Sequence, residues 1–199
     1  MPVNLTGDIR EQKSLLRTQF KSIRSAYSLE EKEKLDKKIT NRLINMWKFR
    51  EAEILFCYVS FGIEVDTRSI IRISLEQGKR IAVPKCVDGK RELEFFTIKS
   101  MEELKPGTFG VLEPEPKAEN RITDFNSGLC IVPALSFDHE GFRLGFGKGY
   151  YDRFLSEFEA FTVGLCYSDC VVERLPHGKY DKNVDILVTE KSLYTINNR

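Results

Sequence analysis

Apolar positions along this chain follow two spacings, which predicts helices and strands in alternation. Near the start, apolar side chains recur every three, four or seven positions, and this spacing predicts helices over residues 8–26 and 29–47. Ser28, followed three positions later by Glu31, predicts a capping box at the start of the second helix. Short uninterrupted apolar runs predict buried strands at residues 54–59, 81–84, 129–135, 162–167 and 186–188.

The order of these elements predicts an α/β fold. The first strand is followed by a helix that Gly78 ends and then by the second strand, and this order favours parallel pairing through a right-handed crossover. We therefore predict one domain over residues 1–199, a three-layer α/β/α sandwich with a largely parallel sheet. Residues 85–128 are the least regular segment, and apart from a short strand at 92–98 we expect them to form a lid or rim.

Charge and composition narrow the range of partners. The chain carries 31 Lys and Arg against 30 Asp and Glu, so its formal charge of +1 creates no overall field that would attract nucleic acid or an anionic membrane. No apolar run approaches the roughly 20 residues of a membrane span, and the start of the chain lacks the pattern of a secretory signal. We expect a cytoplasmic monomer that binds small molecules. Five cysteines and two histidines at unsuitable spacings favour reduced thiols over a zinc site.

Residues 129–158 contain the candidate chemistry. After the apolar run come a polar bend at 138–141, then Arg143, and then glycines at positions 145, 147 and 149 with Lys148 between the last two. From Tyr150 the apolar residues return at helical spacing. A helix N-terminus presents unpaired backbone N–H groups, and glycines allow further N–H groups to approach an anion, so the segment is a candidate polyphosphate cradle. It matches neither the Walker pattern nor the dinucleotide fingerprint, and a tight glycine turn is the alternative.

The stretch FDHEGFRLGFGKGYYDRFL resembles the signature of the 5-formyltetrahydrofolate cyclo-ligases, also called 5,10-methenyltetrahydrofolate synthetases. The resemblance extends towards both ends of the chain, through KSLLR near the start, YVSFGIEVDT at the first strand, LEPEP in the middle and YDKNVDILVTE near the end. It implies the conversion of 5-formyltetrahydrofolate and ATP to 5,10-methenyltetrahydrofolate, ADP and phosphate, with Mg²⁺ as cofactor. It also implies a topology similar to that of the sugar-phosphate isomerase and CoA-transferase group.

The same resemblance implies roles for individual residues. Arg143 and Lys148 would hold the transferred phosphoryl group as catalytic residues, and Asp152 and Asp181 would hold Mg²⁺. The implied ATP contacts are Lys13, Arg17, Arg143, Leu144, Gly145, Phe146, Gly147, Lys148, Gly149, Tyr150 and Tyr151. The implied folate contacts are Val59, Glu64, Phe146, Gly147, Lys148, Gly149 and Tyr150.

The residues considered without the resemblance leave simpler interpretations open. Lys13 and Arg17, four positions apart, would ordinarily form a solvated helix face. Glu64 could cap its own loop, and Asp181 could initiate a turn. Phe146 stands where other members of the family often carry Tyr or Arg, so a ligand contact there must be apolar or stacking.

Two other classes of function remain as alternatives. An ATP-independent sugar-phosphate isomerase or CoA transferase on a similar fold would have little use for two basic helix residues directed at the loop. A folate- or nucleotide-binding module without turnover would have little use for acids suited to Mg²⁺ beside a phosphate site.

Overall fold

The computed structural model describes residues 8–196, except for the side chain of residue 109. Helices form in both predicted N-terminal segments, and each begins with a side-chain N-cap. The Asp8 side chain accepts a hydrogen bond from the Arg10 N–H, and Ser28 and Glu31 make both bonds of the capping box. The helices are α1 Ile9–Ser25, α2 Leu29–Ile44, α3 Trp47–Glu51, α4 Arg68–Glu76 and α5 Tyr150–Glu157.

The strands of the described residues form one large sheet and two small ones. They are β1 Ile54–Cys57, β2 Arg80–Cys86, β3 Leu93–Ile98, β4 Lys105–Pro106, β5 Leu112–Glu113, β6 Arg121–Ile122, β7 Leu129–Val132, β8 Ser136–Asp138, β9 Arg143–Leu144, β10 Phe161–Leu165, β11 Val171–Val172, β12 Ile186–Val188 and β13 Leu193–Thr195. The large sheet has the order β13-β12-β10-β7-β1-β2-β3-β6, and the small sheets are β11-β8-β9 and β4-β5.

The five central strands, from β12 to β2, pair in parallel, whereas β3, β6 and β13 pair antiparallel at the two sides. This confirms the predicted α/β fold with a largely parallel sheet. The crossover from β1 through α4 to β2 and the one from β7 through α5 to β10 run in opposite directions across the sheet. Right-handed crossovers therefore place α4 and α5 on opposite faces, which makes three layers. The likeness to the sugar-phosphate isomerase group and the single domain over 1–199, which extends beyond the described residues, stay predictions.

Several predicted elements end earlier than expected. The predicted helix at 29–47 divides into α2 and α3, because Asn45 follows α2 as its C-cap and its side-chain amide donates to the Asn41 carbonyl at 2.8 Å. The predicted strand at 129–135 ends at Val132, directly before a proline that lacks a backbone N–H, and a hairpin of β8 and β9 follows. The glycine loop therefore follows β9 and not the buried strand β7.

The predicted short strand at 92–98 forms as β3, and it belongs to the core of the sheet rather than to a rim. Phe95 on β3 is completely buried, and its ring centroid lies 4.4 Å from that of Phe154 on α5 and 5.4 Å from that of Phe56 on β1. Edge-to-face and tilted aromatic contacts of this kind contribute beyond their buried area. The cluster holds α5, and with it the glycine loop, against the sheet.

Two further predictions concern the cysteines and the membrane-spanning segments. All five cysteines are free thiols, as expected for reduced cysteines. Among the described residues, no helix has the length and apolar character needed to cross a bilayer.

Candidate active site

The glycine loop connects β9 to α5. Gly147 and Gly149 have φ angles of +96° and +77°, in the region that L-residues rarely adopt, and Gly149 is the N-cap of α5 without a side-chain hydrogen bond. The side chains of Phe146 and Lys148 are exposed on the loop. Since the first N–H groups of a helix lack partners within that helix, this loop has the geometry of an anion cradle.

Helix α1 lies directly against the loop. The Arg17 Nε donates to the Gly145 carbonyl at 2.9 Å. A Cβ added to Gly147 would lie 3.1 Å from the Arg17 Cζ, so the guanidinium packs on the loop backbone. The basic face of α1 is thus part of the site and is not simply a solvated surface.

Lys13, one turn earlier on α1, contacts Asp181, which precedes β12. Its Nζ lies 2.7 Å from both carboxylate oxygens of Asp181, and the Gly178 N–H donates to Asp181 Oδ2 at 2.6 Å. Burial alone would raise the pKa of Asp181, but these two partners outweigh it and lower the pKa below its ordinary value. Asp181 is therefore held ionised by α1.

Arg143 lies beneath the loop with only 4% of its side chain exposed. Its Nη2 lies 2.8 Å from Asp152 Oδ1, and its Nη1 donates to the Lys182 carbonyl at 3.1 Å. The Nε is buried without a hydrogen-bond partner. Arg143 thus joins the first turn of α5 to the segment of Asp181, and its guanidinium is directed at protein groups rather than at the open side of the loop.

Asp152 and Asp181 are suitable ligands for Mg²⁺ provided that Lys13 moves away from Asp181. Carboxylate oxygens match the preference of Mg²⁺, which uses one or two protein carboxylates together with phosphates and water. Asp152 is about one-third exposed beside Arg143, at 32%. At Asp181, however, the Lys13 ammonium contacts both oxygens and would have to move before a metal could bind. Among the described residues, no group of three or more His, Cys, Asp or Glu side chains could hold a metal.

Two of the residues with an implied folate role, Val59 and Glu64, lie in the loop after β1. The Val59 side chain is buried, at 2% exposure, and Glu64 accepts a hydrogen bond from the Phe61 N–H at 2.8 Å. Burial raises the pKa of Glu64, and the Phe61 N–H, Arg24 and Lys32 offset part of that rise.

Helix α5 brings its first residues towards this loop. The Tyr151 hydroxyl is buried and has no hydrogen-bond partner. Burial, followed by nearby thiols and Glu64, raises the pKa of Tyr151 well above its ordinary value. Tyr150 is half-buried beside Cys86. Tyr151 is therefore close enough to interact with Glu64, whereas Tyr150 faces the end of β2.

Two further residues of α1 belong to this region and were missed in the sequence. Lys21 places its Nζ 5.9 Å from the ring centroid of Phe146, and Arg24 donates to the Ile63 carbonyl at 3.4 Å. Both share a helix face with Arg17, at spacings of four and seven residues. This periodicity predicts that the three side chains share a helix face, but it does not predict which segment that face contacts.

Comparison with known proteins decides the family. A sequence model described as the 5-formyltetrahydrofolate cyclo-ligase family matches residues 9–190. The chain belongs to the 5-formyltetrahydrofolate cyclo-ligase family. The resemblance and the enzyme class expected from the signature are thereby confirmed.

Individual members of the cyclo-ligase family match nearly the whole chain. A Caenorhabditis elegans protein named as a probable 5-formyltetrahydrofolate cyclo-ligase is 29% identical, with 92% of this chain and 94% of the relative covered. The Haemophilus influenzae 5-formyltetrahydrofolate cyclo-ligase is 28% identical over 89% of this chain and 98% of its own. The NMR structure of Aquifex aeolicus 5,10-methenyltetrahydrofolate synthetase superposes with a TM-score of 0.83 at 34% identity, covering 94% of both chains.

Proposed function

We propose that this protein converts 5-formyltetrahydrofolate to 5,10-methenyltetrahydrofolate with ATP as co-substrate and Mg²⁺ as cofactor. The observation that carries the proposal is the position of α1, whose Arg17 bonds the glycine-loop backbone while Lys13 pairs with Asp181. Two cations beside a loop of open N–H groups suit a polyphosphate. An isomerase or a CoA transferase consumes no ATP, so a requirement for ATP distinguishes these alternatives from the proposed reaction.

The nucleotide would lie on the open side of the glycine loop. Backbone N–H groups of the loop, from residue 144 to 151, would contact the phosphates, and Lys148 would neutralise charge that develops on the transferred group. Lys13 would exchange its bond with Asp181 for one with a phosphate oxygen. Arg143 would act from below the loop, because its bonds to Asp152 and to the Lys182 carbonyl hold both acidic segments in place.

Asp152 and Asp181 would hold Mg²⁺ once Lys13 has moved. When bound there, the ion would offset negative charge on the phosphates. Because Asp181 is ionised, with its pKa below the ordinary value, its carboxylate is available as a ligand at neutral pH.

The folate would bind between the loop of Glu64 and the start of α5. Glu64 would accept hydrogen bonds from the pterin, and Val59, two residues after β1, would lie beneath it. Tyr150 and Phe146 would supply ring surfaces. In this arrangement the formyl group would lie beside the glycine loop, near the γ-phosphate.

The reaction needs no nucleophile from the protein. The formyl oxygen attacks the γ-phosphorus, the bond to the bridging oxygen of ADP breaks, and ADP departs. Nitrogen 10 then attacks the activated carbon and loses its proton, and phosphate leaves with the former formyl oxygen. The chain's contribution is positioning and charge neutralisation, which supply most of the catalysis in phosphoryl transfer.

The test is the appearance of methenyl absorbance when purified protein is mixed with 5-formyltetrahydrofolate, Mg²⁺ and ATP. We expect one ADP for each methenyl product and no absorbance change when ATP is omitted. Binding of folate or ATP without ADP release would instead favour a module without turnover. Absence of any ATP requirement would favour the isomerase or transferase alternative. A cytoplasmic location and a monomeric state are further parts of the proposal that rest on the sequence.

A further inference from the structure

Arg24 is a buried cation at the C-terminal end of α1. Only 2% of the residue is exposed, and no ion pair to a carboxylate forms within 4.0 Å among residues 8–196. Its Nη1 donates to the Ile63 carbonyl at 3.4 Å, its Nη2 donates to Cys166 Sγ at 3.6 Å, and its Nε has no partner. The Cys170 thiol is a further polar neighbour of the guanidinium, and thiol sulfur atoms are weak acceptors for a group with five donors.

Packing alone does not explain a buried arginine at this position. Removing a charge from water is costly, and an apolar side chain of similar volume is often as stabilising as a buried charged one, or more so. A buried donor without a partner, here the Arg24 Nε, calls for another explanation, and one recognised explanation is a functional one. The explanation available at Arg24 is the segment that it contacts.

The segment in contact with Arg24 carries Glu64. The Ile63 carbonyl that accepts from Arg24 belongs to the peptide unit whose nitrogen is that of Glu64, while the Glu64 side chain accepts from the Phe61 N–H at 2.8 Å. The two bonds constrain the backbone on the near side of Glu64. The turn also has an internal backbone bond, from the Glu64 N–H to the Phe61 carbonyl at 3.3 Å, so the bond from Arg24 is the one that ties it to α1.

A second network holds Arg24 itself. Its guanidinium lies over the Tyr167 ring, 5.2 Å from the centroid, and the Tyr167 hydroxyl donates to Asp36 Oδ1 at 2.7 Å. The same Asp36 oxygen accepts from the Asp66 N–H at 3.2 Å. The Arg24, Tyr167 and Asp36 side chains therefore connect to the loop on both sides of Glu64.

We infer that Arg24 is a positioning residue that fixes the loop of Glu64 and so determines how tightly the reduced folate binds. The inference rests on the proposed role of Glu64 in folate binding. It assigns to α1 a second task besides contact with the glycine loop, because one rigid helix would then set both the nucleotide loop and the folate loop.

The charge of Arg24 acts on Glu64 as well. The titratable groups that face Glu64 are Arg24 from α1, Lys32 from α2, Tyr58 after β1 and Tyr151 from α5. Burial raises the pKa of Glu64, whereas Arg24 and Lys32 lower it. The two tyrosines are neutral near pH 7, since burial raises their pKa values well above the ordinary range. Removal of Arg24 should therefore raise the pKa of Glu64 further.

The experiment compares Arg24→Met, Arg24→Lys and a control, Arg42→Met. Arg42 on α2 also donates to two backbone carbonyls, those of Thr189 and Glu190, but contacts none of the proposed site residues. For Arg24→Met we expect the KM for 5-formyltetrahydrofolate to rise about tenfold, the size of one lost hydrogen bond to a charged group, with the KM for ATP unchanged. The acidic limb of kcat/KM against pH should move to higher pH, because Glu64 must lose its proton against a higher pKa.

Arg24→Lys separates the two contributions of the side chain. It keeps the charge, so the acidic limb should return towards its wild-type position, while the KM for folate should stay raised because the fork that reaches Ile63 is lost. Amide hydrogen exchange of residues 61–66 should become faster in both Arg24 variants and not in Arg42→Met. This last measurement needs no substrate.

The outcomes distinguish the inference from the proposed function. If Arg24→Met leaves both the exchange of 61–66 and the KM for folate at wild-type values, Arg24 has no positioning role. If exchange accelerates while Glu64→Gln leaves the KM for folate unchanged, the loop contact is supported and the assignment of Glu64 to folate is overturned. A chain that never converts 5-formyltetrahydrofolate overturns the proposed function, while hydrogen exchange still decides whether Arg24 holds the loop.

Discussion

Alanine substitutions at the three loop glycines should have different effects, because their surroundings differ. Gly145 has an ordinary φ and open space where a Cβ would lie. Gly149 has a φ of +77° but the same open space. Gly147 has a φ of +96° and would place its Cβ 3.1–3.4 Å from three atoms of the Arg17 guanidinium. Only Gly147 combines backbone strain with a close neighbour.

The expected sizes follow from these geometries. Gly145→Ala should change the free energy of unfolding by less than about 0.5 kcal/mol, as for other substitutions without strain or contact. An L-residue in the left-handed region costs roughly 1–2 kcal/mol, so Gly149→Ala should lower the Tm by roughly 2–8 °C in a chain of this size. Gly147→Ala should cost more than Gly149→Ala, because Arg17 must also move away from its bond to the Gly145 carbonyl.

Thermal unfolding and ATP titration calorimetry measure the two consequences. The displacement of Arg17 predicts that Gly147→Ala weakens ATP binding about tenfold, equivalent to about 1.4 kcal/mol. In an Arg17→Ala background, the same substitution should cost less, with a coupling energy of about 0.5 kcal/mol or more, as for other residues in contact.

Three results would refute this reasoning. Equal destabilisation by Gly145→Ala and Gly147→Ala would show that neither the φ angle nor Arg17 matters. A Gly147→Ala effect that is the same with and without the Arg17 side chain would show that the guanidinium does not pack on the loop. Unchanged ATP affinity in Gly147→Ala would reduce the segment to a glycine turn.

Three other predictions concern the charged groups of the site. Lys148→Ala should lower kcat about a hundredfold with little change in Tm. Arg143→Ala should lower both kcat and Tm, since it leaves Asp152 unpaired. Equal Tm values for the two variants would contradict the buried position of Arg143. The folded-state pKa of Asp181 is depressed, so its stabilising contribution is present above its unfolded pKa, near 4, and is lost as pH falls through the folded value. In urea titrations, the free energy of unfolding should therefore fall less on acidification in Asp181→Asn than in wild type. Identical falls would contradict the ion pair with Lys13. Asp152→Asn should raise the Mg²⁺ concentration for half-maximal activity more than the KM for folate, and the reverse order would exclude Asp152 as the ligand.

Local structure at the site could be predicted from the sequence because its causes are local. The capping box at Ser28, the helix that starts at Tyr150 and the apolar runs of the central strands each depend on residues within one or two turns of each other. The cyclo-ligase signature is also contiguous, so its residues identified the family before any contact was known. These features needed no knowledge of which strands are neighbours.

The tertiary structure decided which distant residues meet. Lys13 bonds Asp181 across 168 positions, Arg17 bonds Gly145 across 128, and Arg24 bonds Ile63 across 39. Periodicity places these three side chains on one helix face, but the segments that the face meets depend on strand order and on how α1 packs. Arg143 illustrates both cases, because its partner Asp152 lies in the same motif whereas its bond to the Lys182 carbonyl spans 39 positions. Long-range pairing is therefore where the sequence pattern stops, since it is determined by the packing of whole elements and not by the spacing within one.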